Sequence, residues 1–104
     1  MVDCIEQDSS NYSHSENLHV FIRELLNKNN TEFNQLSAIS VSRGPGSYTG
    51  LRIGLSAAKG LCYGLDIPLI SISSLKILAN SVKFDGFTVA TMDARREEVY
   101  SCIY

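Results

Sequence analysis

The sequence predicts an α/β fold in which strands alternate with helices. Short apolar runs typical of buried strands are separated by stretches of helical periodicity, and a glycine-rich loop stands at a strand-to-helix junction. The 104 residues are 44% hydrophobic and 19% charged, a composition that excludes disordered and low-complexity chains. No apolar run approaches the roughly 18 residues of a membrane helix, and no signal segment opens the chain. We therefore expect one domain in a cytoplasmic protein.

The first part of the chain predicts a strand, a helix and a second strand. Val2–Gln7 alternates weakly as a short strand does, and Asp8–Tyr12 reads as a polar turn. Ser13 and Glu16 fit a capping box, and the helix behind it runs to about Asn27. Its apolar stripe consists of Leu18, Phe21, Ile22, Leu25 and Leu26. A helical turn is predicted at Thr31–Gln35 and a buried, parallel-type strand at Leu36–Ser42.

The second part continues the alternation. Helical periodicity runs from Thr49 to about Leu65, and Pro68 forbids its extension. The remaining predicted elements are a buried strand at Leu69–Ile72, a short helix from Leu75 to about Val82 capped by Ser73 or Ser74, a turn at Asp85-Gly86, and strands at Phe87–Met92 and Val99–Tyr104 joined by Asp93–Arg96. The two end strands lack the polar fringe of a finished domain, which indicates a piece of a larger fold.

Charge is unevenly distributed although the net charge is only −2. Residues 1–42 carry two basic and six acidic side chains, whereas residues 43–96 carry seven basic and three acidic ones. A mildly basic middle suits an anionic partner but is weaker than the stripe of an autonomous nucleic-acid binder. The three cysteines, Cys4, Cys62 and Cys102, form no CxxC and are expected to be small buried apolar residues.

The most informative motif is the loop from Gly44 to Gly50. Its glycines permit a tight turn, and its hydroxyls can bond the free amides at a helix start, where Arg43 and Arg52 add positive charge. The residues that could contact a phosphate are Gly44, Gly46, Ser47, Thr49, Gly50 and Arg52. The spacing GxGxxxG, without a following Gly-Lys-Ser/Thr, excludes Rossmann and P-loop fingerprints. A structural turn and a phosphate contact are equally compatible with this loop.

Glycines also recur inside the following helix. Gly50 and Gly54 are four residues apart, as are Gly60 and Gly64, and each interior glycine costs about 1 kcal/mol relative to alanine. Close approach of another element explains such a pattern, either within the chain or from a partner protein. The two histidines, His14 and His19, are five residues apart and so do not share a helix face as a zinc pair would. No catalytic triad or metal site is predicted.

Four ordered motifs span nearly the whole chain: His14–Glu16, Arg43–Leu55, Ile67–Leu75 and Asp93–Tyr100. Together they resemble the bacterial TsaB (YeaZ) family. The resemblance implies an actin-like, ribonuclease-H-type fold, of which the chain would be most of the N-terminal lobe, without the first strands and the C-terminal lobe. It also implies a non-catalytic subunit of the machinery that adds threonylcarbamoyl to an adenosine of tRNA. The paralogue's His-x-x-x-His metal pair is not matched, since Leu18 stands four residues after His14.

The resemblance further implies partners and an interface. The expected partners are a TsaD-like catalytic paralogue and a TsaE-like ATPase, with a homodimer in isolation and tRNA contacted by the complex. No resident cofactor is implied, and ATP or ADP could bind only at the interface of the full complex. The family's pairing helices correspond to the two that follow the His-Ser-Glu and Gly-Pro-Gly-Ser motifs. The partner contacts implied are Leu18, Phe21, Leu25, Gly50, Gly54 and Ala58.

Three hypotheses about function stay open at this stage. The first is the scaffold subunit just described. The second is a glycoprotease-like metallopeptidase, which the missing histidine pair and triad disfavour. The third is a nucleotide-binding module built on the Gly44–Gly50 loop. The charged connection at Asp93, Arg95 and Arg96 fits either a solvated hairpin or a contact to an anion or tRNA.

Overall fold

The computed structural model describes residues 3–6 and 14–104. Helices and strands alternate there, which confirms the predicted α/β class: α1 (His14–Lys28), β1 (Ile39–Ser42), α2 (Tyr48–Leu65), β2 (Leu69–Ile72), α3 (Ser74–Asn80), β3 (Val89–Arg95) and β4 (Glu98–Ile103), with a 3₁₀ turn at Phe33–Gln35. Among these described elements, no helix is both long and apolar enough to cross a membrane.

The centre of the fold is a β1–α2–β2 unit. The two strands pair in parallel, with Ile39 opposite Leu69 and Ser42 opposite Ile72, and α2 connects them. Gly54, Ala58 and Cys62 follow one another at four-residue intervals and so share one helix face. That face turns to the sheet, since a Cβ on Gly54 would lie 3.9 Å from Cγ2 of Val41 on β1. The small residues of α2 therefore lie on the side of the helix that packs against the sheet.

Local signals set the ends of α2. Ser47 is the N-cap, and its hydroxyl accepts a hydrogen bond from the amide of Gly50 at 3.3 Å. The C-cap is Asp66 in the left-handed region, with φ 55°, whose amide donates to the carbonyl of Cys62. The helix therefore begins one residue before the predicted Thr49 and ends at the predicted Leu65.

Both parallel strands were expected to be buried, and both are only half-buried. Ser40 and Ile70 are register partners on one face of the sheet, and both are exposed. A two-stranded sheet with a helix on one face leaves its other face to solvent, which is the physical reason for the difference. The strand at β1 is also shorter than predicted, beginning at Ile39 rather than Leu36.

The C-terminal part is an antiparallel hairpin. β3 and β4 pair from Val89 opposite Ile103 to Arg95 opposite Glu98, with a bulge between Asp93 and Arg95. The turn residues Arg95, Arg96 and Glu97 all have positive φ, between 53° and 66°. Pairing therefore continues to the tip through a two-residue turn. For this reason β3 extends past the predicted end at Met92, into the segment expected to be a connection.

The core is small. Five hydrophobic residues are buried among those described: Ala58, Cys62, Leu75, Ala79 and Ala90. The last three form one cluster between α3 and β3, with Met92 packed against it. The Cα radius of gyration is 15.6 Å, against about 13 Å for a compact chain of this length. The molecule thus leaves much of its apolar surface uncovered.

Several predictions at the chain's beginning and at its cysteines need correction. Residues 3–6 form no strand, since none of the four described strands pairs with them. The Asp3 carboxylate instead accepts hydrogen bonds from the side chains of Lys28 and Asn29 at the end of α1. The turn at Asp8–Tyr12 and the capping box lie outside what the structure describes. Cys62 is buried as expected, but Cys4 and Cys102 are exposed, because their segments lie at the surface.

Candidate functional site

The glycine-rich loop is held rigidly at its start. Gly44 is buried with φ 94°, and a Cβ there would lie 3.0 Å from Cδ1 of Leu51. Its carbonyl accepts a hydrogen bond from the amide of Ser74 at 2.9 Å, and its amide donates to the hydroxyl of Ser42 at 3.3 Å. Only glycine combines this conformation with this space, so the loop requires glycine here for structural reasons.

A pair of hydroxyls joins the end of β1, just before the loop, to α3. Oγ of Ser42 and Oγ of Ser74 lie 2.6 Å apart, and both residues are half-buried. Ser74 was one of two predicted caps of this helix, with Ser73 the other. Ser73 occupies the N-cap position without making a side-chain capping bond, and the Ser74 hydroxyl is directed to β1 instead. The two serines therefore link the central unit to the hairpin's supporting helix.

The structure divides the predicted phosphate-contacting residues between different surroundings. Gly46, Ser47 and Thr49 line a cleft that faces the hairpin, whereas Gly44 is covered by Leu51. The Ser47 hydroxyl already accepts from the Gly50 amide. The Arg52 guanidinium carbon lies 5.2 Å from the centroid of the Tyr48 ring, in a cation–π arrangement. These residues form a surface rather than a single enclosed phosphate cradle.

The cleft beside the loop has a volume of about 660 Å³. Its opposite wall comes from the hairpin, with Met92, Asp93, Ala94, Arg95 and Tyr100. The Asp93 carboxylate accepts a hydrogen bond from the Arg95 amide at 2.8 Å, which fixes the acidic side chain at the base of the turn. Two motifs singled out in the sequence as separate features thus meet in space. Tyr100 was not predicted to line a site, because the local sequence of a strand does not show which distant residues its side chains will face.

A second groove of about 470 Å³ lies between the first two helices. It is lined on α1 by Leu18 and His19 and on α2 by Thr49, Arg52, Ile53, Ser56 and Ala57. Leu18, Phe21 and Leu25 are half-buried along α1. His19 is exposed at the groove. Short side chains on α2 keep this groove open.

The residues predicted to contact a partner are not all on this surface. Leu18 lines the groove and Gly50 is exposed. Gly54 faces β1 inside the chain, and Ala58 is only 5% exposed. These last two have little surface to offer a partner, because the helix face they occupy is the one that packs on the sheet.

No group of three metal-ligating side chains comes together among the residues that the structure describes. One carboxyl in residues 3–6 has a shifted pKa. The hydrogen bond from Lys28, assisted by bonds from the Cys4 amide and the Asn29 side chain, lowers the pKa of Asp3 below its ordinary value. The Lys28 ammonium lies 2.9 Å from Oδ2 of Asp3, at an exposed site far in sequence from the cleft residues.

Comparison with known proteins gives a consistent result. The model of the family TsaD, tRNA N6-adenosine threonylcarbamoyltransferase, matches residues 8–104. The tRNA threonylcarbamoyladenosine biosynthesis protein TsaB of Bacillus subtilis is 45% identical over 93 residues, which are 88% of this chain and 41% of that protein. TsaB of Haemophilus influenzae is 39% identical over 92 residues, covering 85% and 39%.

A solved structure agrees with these relatives. YeaZ from Pseudomonas aeruginosa superimposes with a TM-score of 0.79 at 34% identity, over 88% of this chain and 44% of that one. The mixed α/β architecture fits part of an actin-like fold. The chain spans about two fifths of the length of the curated relatives it matches. It belongs to the TsaD family, and its TsaB and YeaZ relatives place it in the TsaB (YeaZ) group of that family.

Proposed function

We propose that this chain is part of a non-catalytic subunit in the formation of threonylcarbamoyladenosine in tRNA, and that it pairs with a TsaD-type transferase through α1 and α2. The names of the TsaB relatives support the pathway. The observation that carries the pairing is the open groove between the two helices, lined by Leu18, Ile53 and Ala57 among others.

The groove has the composition of a helix-docking surface. Its floor and walls mix half-buried apolar side chains with the short polar side chains of Thr49 and Ser56. Short side chains let another helix approach closely, and apolar ones gain stability when water leaves them. Val20 on α1 is a half-exposed apolar residue that extends the uncovered area. A partner helix laid here would cover what the chain itself leaves open.

The glycines farther along α2 support the same surface. Ser56, Gly60 and Gly64 follow one another at four-residue intervals, so they form one ridge of the helix. A Cβ added at Gly60 or Gly64 would meet no atom within 4 Å. Their cost to the helix, about 1 kcal/mol each, therefore has no explanation in packing within the described chain. Close approach of a partner explains it.

The partner set follows from the same proposal. A TsaD-type transferase occupies the α1–α2 face in the active complex, and a TsaE-type ATPase joins that complex. Without the transferase the same face pairs two copies of this chain, because the exposed apolar area is present in each. The chain itself contributes no catalytic group, which rests on the absence of a nucleophile or metal motif from its sequence. Whole-protein activity belongs to the complex.

The first test is co-purification of the chain with a tagged TsaD-type transferase from the same organism. Ser56→Arg places a long charged side chain on the exposed groove wall and is expected to reduce the recovered complex at least tenfold. Asn80→Arg makes the same charge change at the exposed end of α3 and should leave recovery unchanged. Complex formation by folded Ser56→Arg at the native level would refute the proposed face. Transferase activity on tRNA, restored by the native chain but not by Ser56→Arg, is the functional readout.

A further inference from the structure

A second surface combines arginines with exposed tyrosines beside the glycine-rich loop. We define the arginine–tyrosine surface as Arg43, Tyr48, Arg52, Arg95 and Tyr100. Two adjoining clefts connect these residues into one surface. The cleft of about 660 Å³ beside the hairpin and a second of about 500 Å³ share Pro45, Gly46 and the two tyrosines as lining residues.

The tyrosine side chains that line the clefts are largely uncovered. Tyr48 is 75% exposed and Tyr100 is 52% exposed. Arg52 lies against the Tyr48 ring at 5.2 Å, which holds a cation beside an open aromatic side chain. Exposed aromatic rings flanked by cations are the platform on which single-stranded nucleic acids stack their bases.

The charge of the surface differs from that of the chain. Arg43 and Arg95 line the clefts, and the Arg52 guanidinium lies over the Tyr48 ring from the neighbouring α1–α2 groove. The cleft linings include one carboxylate, Asp93, whose Oδ1 accepts a hydrogen bond from the Arg95 amide. The whole chain has a net charge of −2. The positive charge is therefore concentrated where the tyrosines lie, which favours an anionic ligand.

We propose that the arginine–tyrosine surface binds a single-stranded segment of RNA, with bases stacked on Tyr48 and Tyr100 and phosphates held by the arginines. The inference rests on the proposed function, which supplies an RNA substrate, and it assigns RNA contact to this chain. Two adjoining clefts with a shared aromatic wall suit successive nucleotides better than one mononucleotide. The sequence also lacks the Gly-Lys-Ser/Thr of a P-loop, the signature that would favour a mononucleotide here.

The test is fluorescence anisotropy of a labelled ten-nucleotide single-stranded RNA of mixed sequence, titrated with the 104-residue chain. Tyr48→Ala and Tyr100→Ala are each expected to weaken binding about tenfold, the loss typical of one stacked base. Tyr63→Ala is the matched control, since Tyr63 is 93% exposed and lies about 22 Å along α2 from Tyr48.

Arg95→Ala should weaken binding and flatten its salt dependence, while Arg23→Ala on α1 should not. For three phosphate contacts, the slope of log K against log salt is about −2.

The outcomes separate this inference from the proposed function. RNA binding that is absent, or that persists unchanged in folded Tyr48→Ala and Tyr100→Ala, overturns it. Displacement of the RNA by ATP at matched concentration also overturns it, because it would assign the surface to a mononucleotide. Circular dichroism and thermal unfolding verify that each variant is folded. The tyrosine variants should still co-purify with the transferase, whereas Ser56→Arg should still bind the RNA, so each proposal can fail alone.

Discussion

The β1–α2–β2 unit and the β3–β4 hairpin are built in different ways. In the unit, a long helix places Gly54, Ala58 and Cys62 on the sheet, and positive φ falls at loop and cap positions, Gly44 and Asp66. In the hairpin, three successive residues other than glycine have positive φ, and β4 is exposed at every position. The unit is stabilised by packing, whereas the hairpin depends on its ladder and on one small cluster under α3.

This difference indicates which region tolerates change. The hairpin is a separate two-stranded sheet that packs on α3 through a cluster of three buried residues, so truncating one of them should disrupt much of it. The central unit should keep its sheet and its crossover helix when a residue of this cluster is truncated. The two regions meet at the Ser42–Ser74 hydroxyl pair and at the loop–hairpin cleft, so their coupling can be measured.

The largest expected effect is on the hairpin's cluster. Leu75 is 7% exposed and packs with Ala79 and Ala90, so Leu75→Ala should lower the free energy of unfolding by about 3 kcal/mol. Ile77→Ala on the same helix removes a half-exposed side chain and should cost clearly less. Chemical denaturation measures both. Equal losses for the two variants would show that the cluster does not hold the hairpin. If the cluster does hold the hairpin, hydrogen exchange should show that Leu75→Ala lowers protection in β3 and β4 rather than in α2.

A smaller effect of opposite sign is expected at the hairpin turn. Glu97 has φ 61°, a conformation that costs an L-residue about 1–2 kcal/mol, so Glu97→Gly should raise the free energy of unfolding by about 0.5–1 kcal/mol. Glu98→Gly, one residue later in paired β4, should instead destabilise, because glycine weakens a strand. Thermal unfolding of the two variants is the measurement. A destabilised Glu97→Gly would mean that the turn residue makes a contact that outweighs its backbone cost.

A third effect, of similar size, concerns the link between the two regions. Ser42→Ala and Ser74→Ala each remove one hydroxyl of the 2.6 Å pair, and a double-mutant cycle should give a coupling of about 1 kcal/mol. The half-buried position and short distance are the reasons to expect a measurable value. If the two single losses add up to the double-mutant loss within about 0.3 kcal/mol, the scatter of independent sites, the hydroxyls do not couple β1 to α3.

Elements with strong local signals were predictable from the sequence. The apolar stripe of α1, the Ser47 cap, and the stop before Pro68 each act within a few residues, and the corresponding boundaries agree to within one residue or two. The hairpin's extension to Arg95 was not predictable in the same way, because its turn uses residues that rarely adopt positive φ.

Features that depend on distant residues were predicted least well. Residues 3–6 alternate as a strand does, but a strand also requires a neighbour, and their contacts are to the end of α1. Spacing identified the glycines of α2 without showing that Gly54 faces β1 while Gly60 faces open space. The meeting of the glycine-rich loop with Tyr100 joins positions more than fifty residues apart. The local sequence around either position does not indicate that the two will meet.

The most direct test of the account is a calorimetric titration of the purified chain with the purified TsaD-type transferase. A Cβ at position 60 would lie in open space, so Gly60→Leu places an apolar side chain on the exposed ridge of α2 and should also favour the helix. Its affinity for the transferase should fall at least tenfold, while Lys76→Leu at an exposed position of α3 binds as the native chain does. A folded Gly60→Leu that binds with native affinity would contradict pairing through the α1–α2 face.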